Sequence, residues 1–87
     1  MFVILVYDFS EKRVSKALKT CRKYLTWVQN SVFEGEITAG NLKKLEYELS
    51  RKMDLEEDSV LLYTFNSTKY SKRETIGKEK NRPSVFF

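Results

Sequence analysis

The stretch Phe2-Val3-Ile4-Leu5-Val6-Tyr7-Asp8 constrains the fold more than any other part of the chain. Six apolar or aromatic residues run without a break and end on a carboxylate. A run this short, and this rich in β-branched and aromatic residues, reads as a strand. Side chains alternate along a strand, so Phe2, Ile4 and Val6 point one way and Val3, Leu5 and Tyr7 the other. Both sides are apolar and both need cover, which places this strand at the centre of a sheet. Asp8 then stands where the central strand leaves the core. Ser59-Val60-Leu61-Leu62-Tyr63-Thr64-Phe65 is a second nearly unbroken apolar run and reads as another central strand.

Helical spacing fills the gaps between these runs. Ser10 suits the N-cap of a helix over about residues 11–25. Val14, Ala17, Leu18, Cys21 and Leu25 form its apolar stripe, with Lys12, Lys16, Lys19 and Lys23 on the opposite side. Residues 27–38 read as one outer strand with polar residues mixed in, and Gly35 marks a bulge or bend. Thr38 is placed to cap a second helix over about 39–52, whose buried stripe is Leu42, Leu45, Leu49 and Met53. Residues 54–58 form an acidic turn. A weaker strand covers about 71–78, and Ser84-Val85-Phe86-Phe87 after Pro83 is a last short one.

The expected fold class is α+β. It is a ferredoxin-like sandwich of β-α-β-α-β-β type, with two helices on one face of an antiparallel sheet and an extra C-terminal strand. At 87 residues the chain is one small domain, with about 79–87 as a dimerisation or docking tail. Two helices cover only one side of two doubly apolar strands. A second copy packed through the open sheet face would cover the other, so a homodimer is expected.

Charge is segregated along the chain. Residues 12–23 hold six bases (Lys12, Arg13, Lys16, Lys19, Arg22, Lys23) and no acid, whereas eight of the twelve acids lie between Glu34 and Asp58. Six further bases lie between Lys69 and Arg82. Basic ends around an acidic middle suit a polyanionic partner. The lysine face of the first helix fits either a phosphate backbone or plain solvent. Arg13 and Arg22 suit bidentate phosphate contacts better than the lysines do.

Histidine is absent, which removes the commonest general base and most transition-metal sites. Cys21 is the lone cysteine and is most simply a small buried hydrophobe. Tyr63 and Phe65 suit core or dimer packing better than base stacking. No run approaches the roughly 20 apolar residues of a membrane helix, and the first strand is too short for a signal peptide. No membrane partner and a cytoplasmic location are therefore expected. Asp8 has two readings: it ends its strand by bonding nearby amides, or it meets a second Asp8 across a dimer axis. In the second case the two carboxylates would suit Mg²⁺, whose shell takes one or two carboxylates, waters and substrate phosphates.

Val6-Tyr7-Asp8, the basic helix and the run Trp27-Val28-Gln29-Asn30-Ser31-Val32-Phe33-Glu34-Gly35-Glu36-Ile37-Thr38 carry a further signal. Together with Ser59-Val60-Leu61-Leu62-Tyr63 and Ile76-Gly77-Lys78-Glu79, they closely resemble the small CRISPR-associated protein of the spacer-acquisition machinery. That family is often described as CRISPR-associated endoribonuclease, and the resemblance spans essentially the whole chain. It implies a ferredoxin-like homodimer in which Asp8 of each protomer shares one Mg²⁺. It implies a metal-dependent endonuclease acting on single-stranded RNA, double-stranded DNA or both. It also implies a place as the central dimer between two dimers of a larger CRISPR integrase subunit. A non-catalytic scaffold that binds DNA and bridges integrase dimers is the competing expectation. A small-molecule regulatory domain on the same fold is a third, against which the segregated basic charge argues.

Overall fold

Phe2–Asp8 forms β1, the middle strand of a five-stranded sheet, as its unbroken apolar run demands. The structure is a computed structural model and describes residues 1–66 and 71–78. In chain order the elements are β1, α1 (Val14–Arg22), β2 (Thr26–Gln29), β3 (Val32–Glu36), α2 (Ala39–Lys52), β4 (Ser59–Phe65) and β5 (Ser71–Gly77). The sheet runs β2-β3-β1-β4-β5 and every pairing is antiparallel. The two apolar strands lie side by side, with Phe2 opposite Phe65 and Asp8 opposite Ser59.

One face of this sheet is the core. Val3, Leu5 and Tyr7 of β1 are buried with Phe33 of β3 and with Val60 and Leu62 of β4. Ala17 and Cys21 of α1, and Leu42, Leu45 and Leu49 of α2, complete the same cluster, so both helices pack on that face. Burial pushes the Cys21 thiol up to about 12, so it stays protonated and serves as packing. On the other face Phe2, Ile4 and Val6 lie opposite Phe65, Tyr63 and Leu61. Five of these six are half-buried and Leu61 is buried. The result is an apolar ladder along the sheet's open side.

Four expectations are corrected. Residues 27–38 are not one strand but a hairpin, β2 and β3, turned at Asn30, whose φ of 46° lies in the left-handed region. Asparagine tolerates that region, so Asn30-Ser31 makes the turn that lets the chain double back. The order is therefore β-α-β-β-α-β-β. The first helix starts at Val14 rather than residue 11, and it ends at Arg22 rather than residue 25. Ser10 opens the turn before it, its carbonyl accepting the Arg13 N–H at 2.9 Å, so Ser10 is not the N-cap. Val14 is 38% exposed and leaves the buried stripe, while Thr20 joins it at 0%. The short strand at 84–87 and the tail at 79–87 lie outside the described residues.

Gly77 shows how tightly β5 closes on the rest. Its φ of +92° disfavours any side chain, and an added Cβ would stand 2.5 Å from Met53 Cε and closer still to the Asp58 carbonyl oxygen. Gly77→Ala is expected to cost about 2–4 kcal/mol through strain and overpacking. A thermal melt should show the midpoint falling by roughly 10–25 °C.

Candidate functional site at the end of the central strand

Asp8 is the last residue of β1 and is exposed, while the residues on either side of it are rooted in the core. Tyr7 and Phe9 meet edge to face at 5.7 Å, and Tyr7 also lies 6.1 Å from the Phe33 ring. The Tyr7 N–H donates to the Ser31 carbonyl at 3.1 Å. Alternation therefore turns Asp8 outward onto the open face, continuing the line of Phe2, Ile4 and Val6. A carboxylate between two buried aromatics is held with little backbone freedom.

The chain leaving Asp8 is tied down by a second carboxylate. Asp58 immediately precedes β4 and is completely buried. Its Oδ1 accepts the Ser10 N–H at 2.8 Å, and its Oδ2 accepts the Asp54 N–H at 2.8 Å and Arg13 Nε–H at 2.6 Å. Arg13 Nη2 bonds Asp58 Oδ1 at 3.3 Å and Glu57 at 2.8 Å. Burial works against the charged form of Asp58. Arg13 and the two amides outweigh that and hold the carboxyl down to about 2. The same hydrogen bonds raise the Arg13 guanidinium above its ordinary value. The Asp58 carbonyl also accepts the Lys78 N–H at 2.9 Å. One residue thus joins the exit of β1, the start of α1, the acidic turn and the end of β5.

Arg13, expected to meet phosphate, has a side chain only 18% exposed, and it bonds Asp58 and Glu57. Lys12, Lys16, Lys19, Arg22 and Lys23 are all exposed. Lys23 pairs with Glu48, which also accepts the Tyr24 hydroxyl at 2.6 Å, so it is partly engaged in tying α1 to α2. Glu48 raises the Lys23 amine, and Lys23 and Tyr24 lower Glu48.

α1 packs on the core face, whereas Asp8 stands on the opposite, open face. Among the described residues no three carboxylates or cysteines cluster as a metal site. Within one chain, Asp8 supplies a single carboxylate. Sequence reasoning missed Asp58, because nothing distinguishes it from the four acidic and apolar residues before it except its place in the fold.

The family model for CRISPR associated protein Cas2 matches residues 1–73. The chain belongs to the Cas2 family. It is 53% identical over 87 residues to the CRISPR-associated endoribonuclease Cas2 of Thermotoga maritima, covering all of both chains. It is 50% identical to that of Dictyoglomus turgidum over 82 residues, 94% of each chain. Among solved structures, a crystal structure of Cas2 superposes with a TM-score of 0.74 at 41% identity, covering 95% of this chain and 93% of that one. The Streptococcus pyogenes Cas2 crystal structure gives 0.70 at 30% identity, covering 78% and 89%. The α+β architecture is therefore that of Cas2, and the five-stranded sheet with its two helices agrees with it. No helix among the described residues is long and apolar enough to cross a membrane.

Proposed function

We propose that this Cas2 protein is a Mg²⁺-dependent endonuclease of CRISPR adaptation that cleaves single-stranded RNA, double-stranded DNA or both, working as a homodimer. The observation that carries this reading is Asp8, an exposed carboxylate on a rigid strand end, in line with an apolar ladder that suits a second copy. Its relatives' printed name, endoribonuclease, supports the reaction class.

Two Asp8 side chains brought together by pairing of the open faces would hold the ion. Carboxylate oxygens fit Mg²⁺, a hard cation that keeps waters and shares its shell with phosphates. Bound there, Mg²⁺ supplies charge to the phosphodiester and a more acidic water. The chain's own part is to fix the two carboxylates, through Tyr7, Phe9 and the Asp58 joint, and to seal the face beside them with Phe2, Ile4 and Val6. With no histidine in the sequence, the protein offers no ordinary imidazole base, which favours slow cleavage. The same dimer is the piece that a larger integrase subunit would flank in the adaptation complex.

The test is incubation of the purified protein with single-stranded RNA and duplex DNA, with Mg²⁺ and with chelator, beside Asp8→Asn. Gel filtration checks that both proteins have the same oligomeric state. Equal cleavage by the two, or none by either, would sink the Asp8 mechanism and leave a DNA-bridging scaffold as the better account.

A further inference from the structure

The chain's single tryptophan, Trp27, sits on the edge strand β2 and remains 49% exposed. Its ring is nevertheless held in place. Nε1–H donates to the Asn30 carbonyl at 2.8 Å, and the Arg22 guanidinium carbon lies 5.9 Å from the ring centroid. Trp27 stands opposite Phe33 in the ladder, which puts it on the helix side of the sheet beside the last turn of α1. Lys19 lies one turn before Arg22 on that helix and is exposed. Among the described residues no carboxylate pairs with Arg22 or Lys19.

We propose that Trp27, with Arg22 and Lys19 beside it, is a stacking platform for an unpaired base of single-stranded nucleic acid. It rests on the reading that the protein takes nucleic acid, and it adds a contact on the face opposite Asp8. An exposed, fixed indole offers a π-face that any base can cover, and the flanking cations meet the backbone phosphates. Fixing the ring beforehand lowers the ordering cost of binding. A duplex hides its base faces, so the platform selects single strands. The surroundings disfavour an apolar protein partner, since α1 beside the ring carries the exposed cations Lys19 and Arg22.

Because there is one tryptophan, its fluorescence reports this site alone. The intact protein is titrated, in chelator, with a short fluorescein-free oligouridylate RNA and with duplex DNA. Anisotropy of a labelled copy of the RNA measures binding independently. The expected result is quenching by RNA that saturates with the anisotropy, little quenching by duplex, and Trp27→Leu binding RNA about tenfold more weakly. Trp27→Phe should retain most of the affinity. RNA binding without quenching, or Trp27→Leu binding as tightly as wild type, would overturn the platform while the nucleic-acid reading stands. No RNA binding at all would overturn both. The quenching arm needs only the wild-type protein, so it decides the matter even where a variant folds poorly.

Discussion

Asp58→Ala is expected to lower the thermal midpoint by roughly 10–25 °C, because a buried acceptor of two backbone amides and a guanidinium disappears at once. These donors are part-buried, so each one left unmet costs about 1 kcal/mol, the low end of the usual range, and roughly 3–4 kcal/mol in all is expected. The pH dependence follows from the same bonds. The Asp58 carboxyl is held down to about 2 in the folded protein, below its ordinary value. Its stabilising contribution is therefore fully present above the unfolded value, near pH 4, and is lost as pH falls toward 2. Melts of wild type between pH 5 and pH 2 should fall steeply in that window, and Asp58→Asn should flatten the slope. An unchanged slope in the variant would mean that other carboxylates carry the acid sensitivity.

Asp8→Asn should do the reverse. The side chain is exposed and the shape is kept, so the melting point should move by only a few degrees. Cleavage, in contrast, should drop by roughly 100-fold or more, since the amide is a far poorer Mg²⁺ ligand than the carboxylate it replaces. Asp8 faces Ser59 across the β1–β4 ladder, and Asp58 is the residue before Ser59. With Asp58 expected to govern stability and Asp8 proposed for the chemistry, the two make a sharp pair of measurements. Rate and melting point determined on both variants test the division.

What the sequence disclosed and what it hid divide along physical lines. β1 and β4 were legible because burial on both faces leaves an unbroken apolar run. α2 was legible because its cap and its stripe agree: Thr38 Oγ1 accepts the Asn41 N–H at 3.1 Å, and Leu42, Leu45 and Leu49 are buried. Asp8 was legible as the carboxylate at a strand end, and the structure places it there, exposed. The hairpin was hidden because Val28 and Val32 flank Asn30-Ser31 and preserve a strand-like pattern through the turn. The shortened α1 was hidden because Ser10 and Glu11 look like a helix start, while the Ser10 amide is bonded to Asp58 and its carbonyl closes the turn to Arg13. Arg13 and Asp58 each sit within a run of like charge. Only their meeting across about 45 residues of chain reveals a salt bridge rather than two solvated ends.

The position of β1 between β3 and β4 also bears on how the chain assembles. Its partner strand β4 lies roughly fifty residues further along, from Ser59 opposite Asp8 outward. On a ribosome the six apolar residues Phe2 to Tyr7 are made well before β4, and half of their ladder stays open until Phe65 has been made. Pairings this distant are slow to close, and an unpaired apolar strand is where wrong partners are recruited. The feature that makes the finished sheet rigid beneath Asp8 is thus also the most exposed liability of the unfinished one.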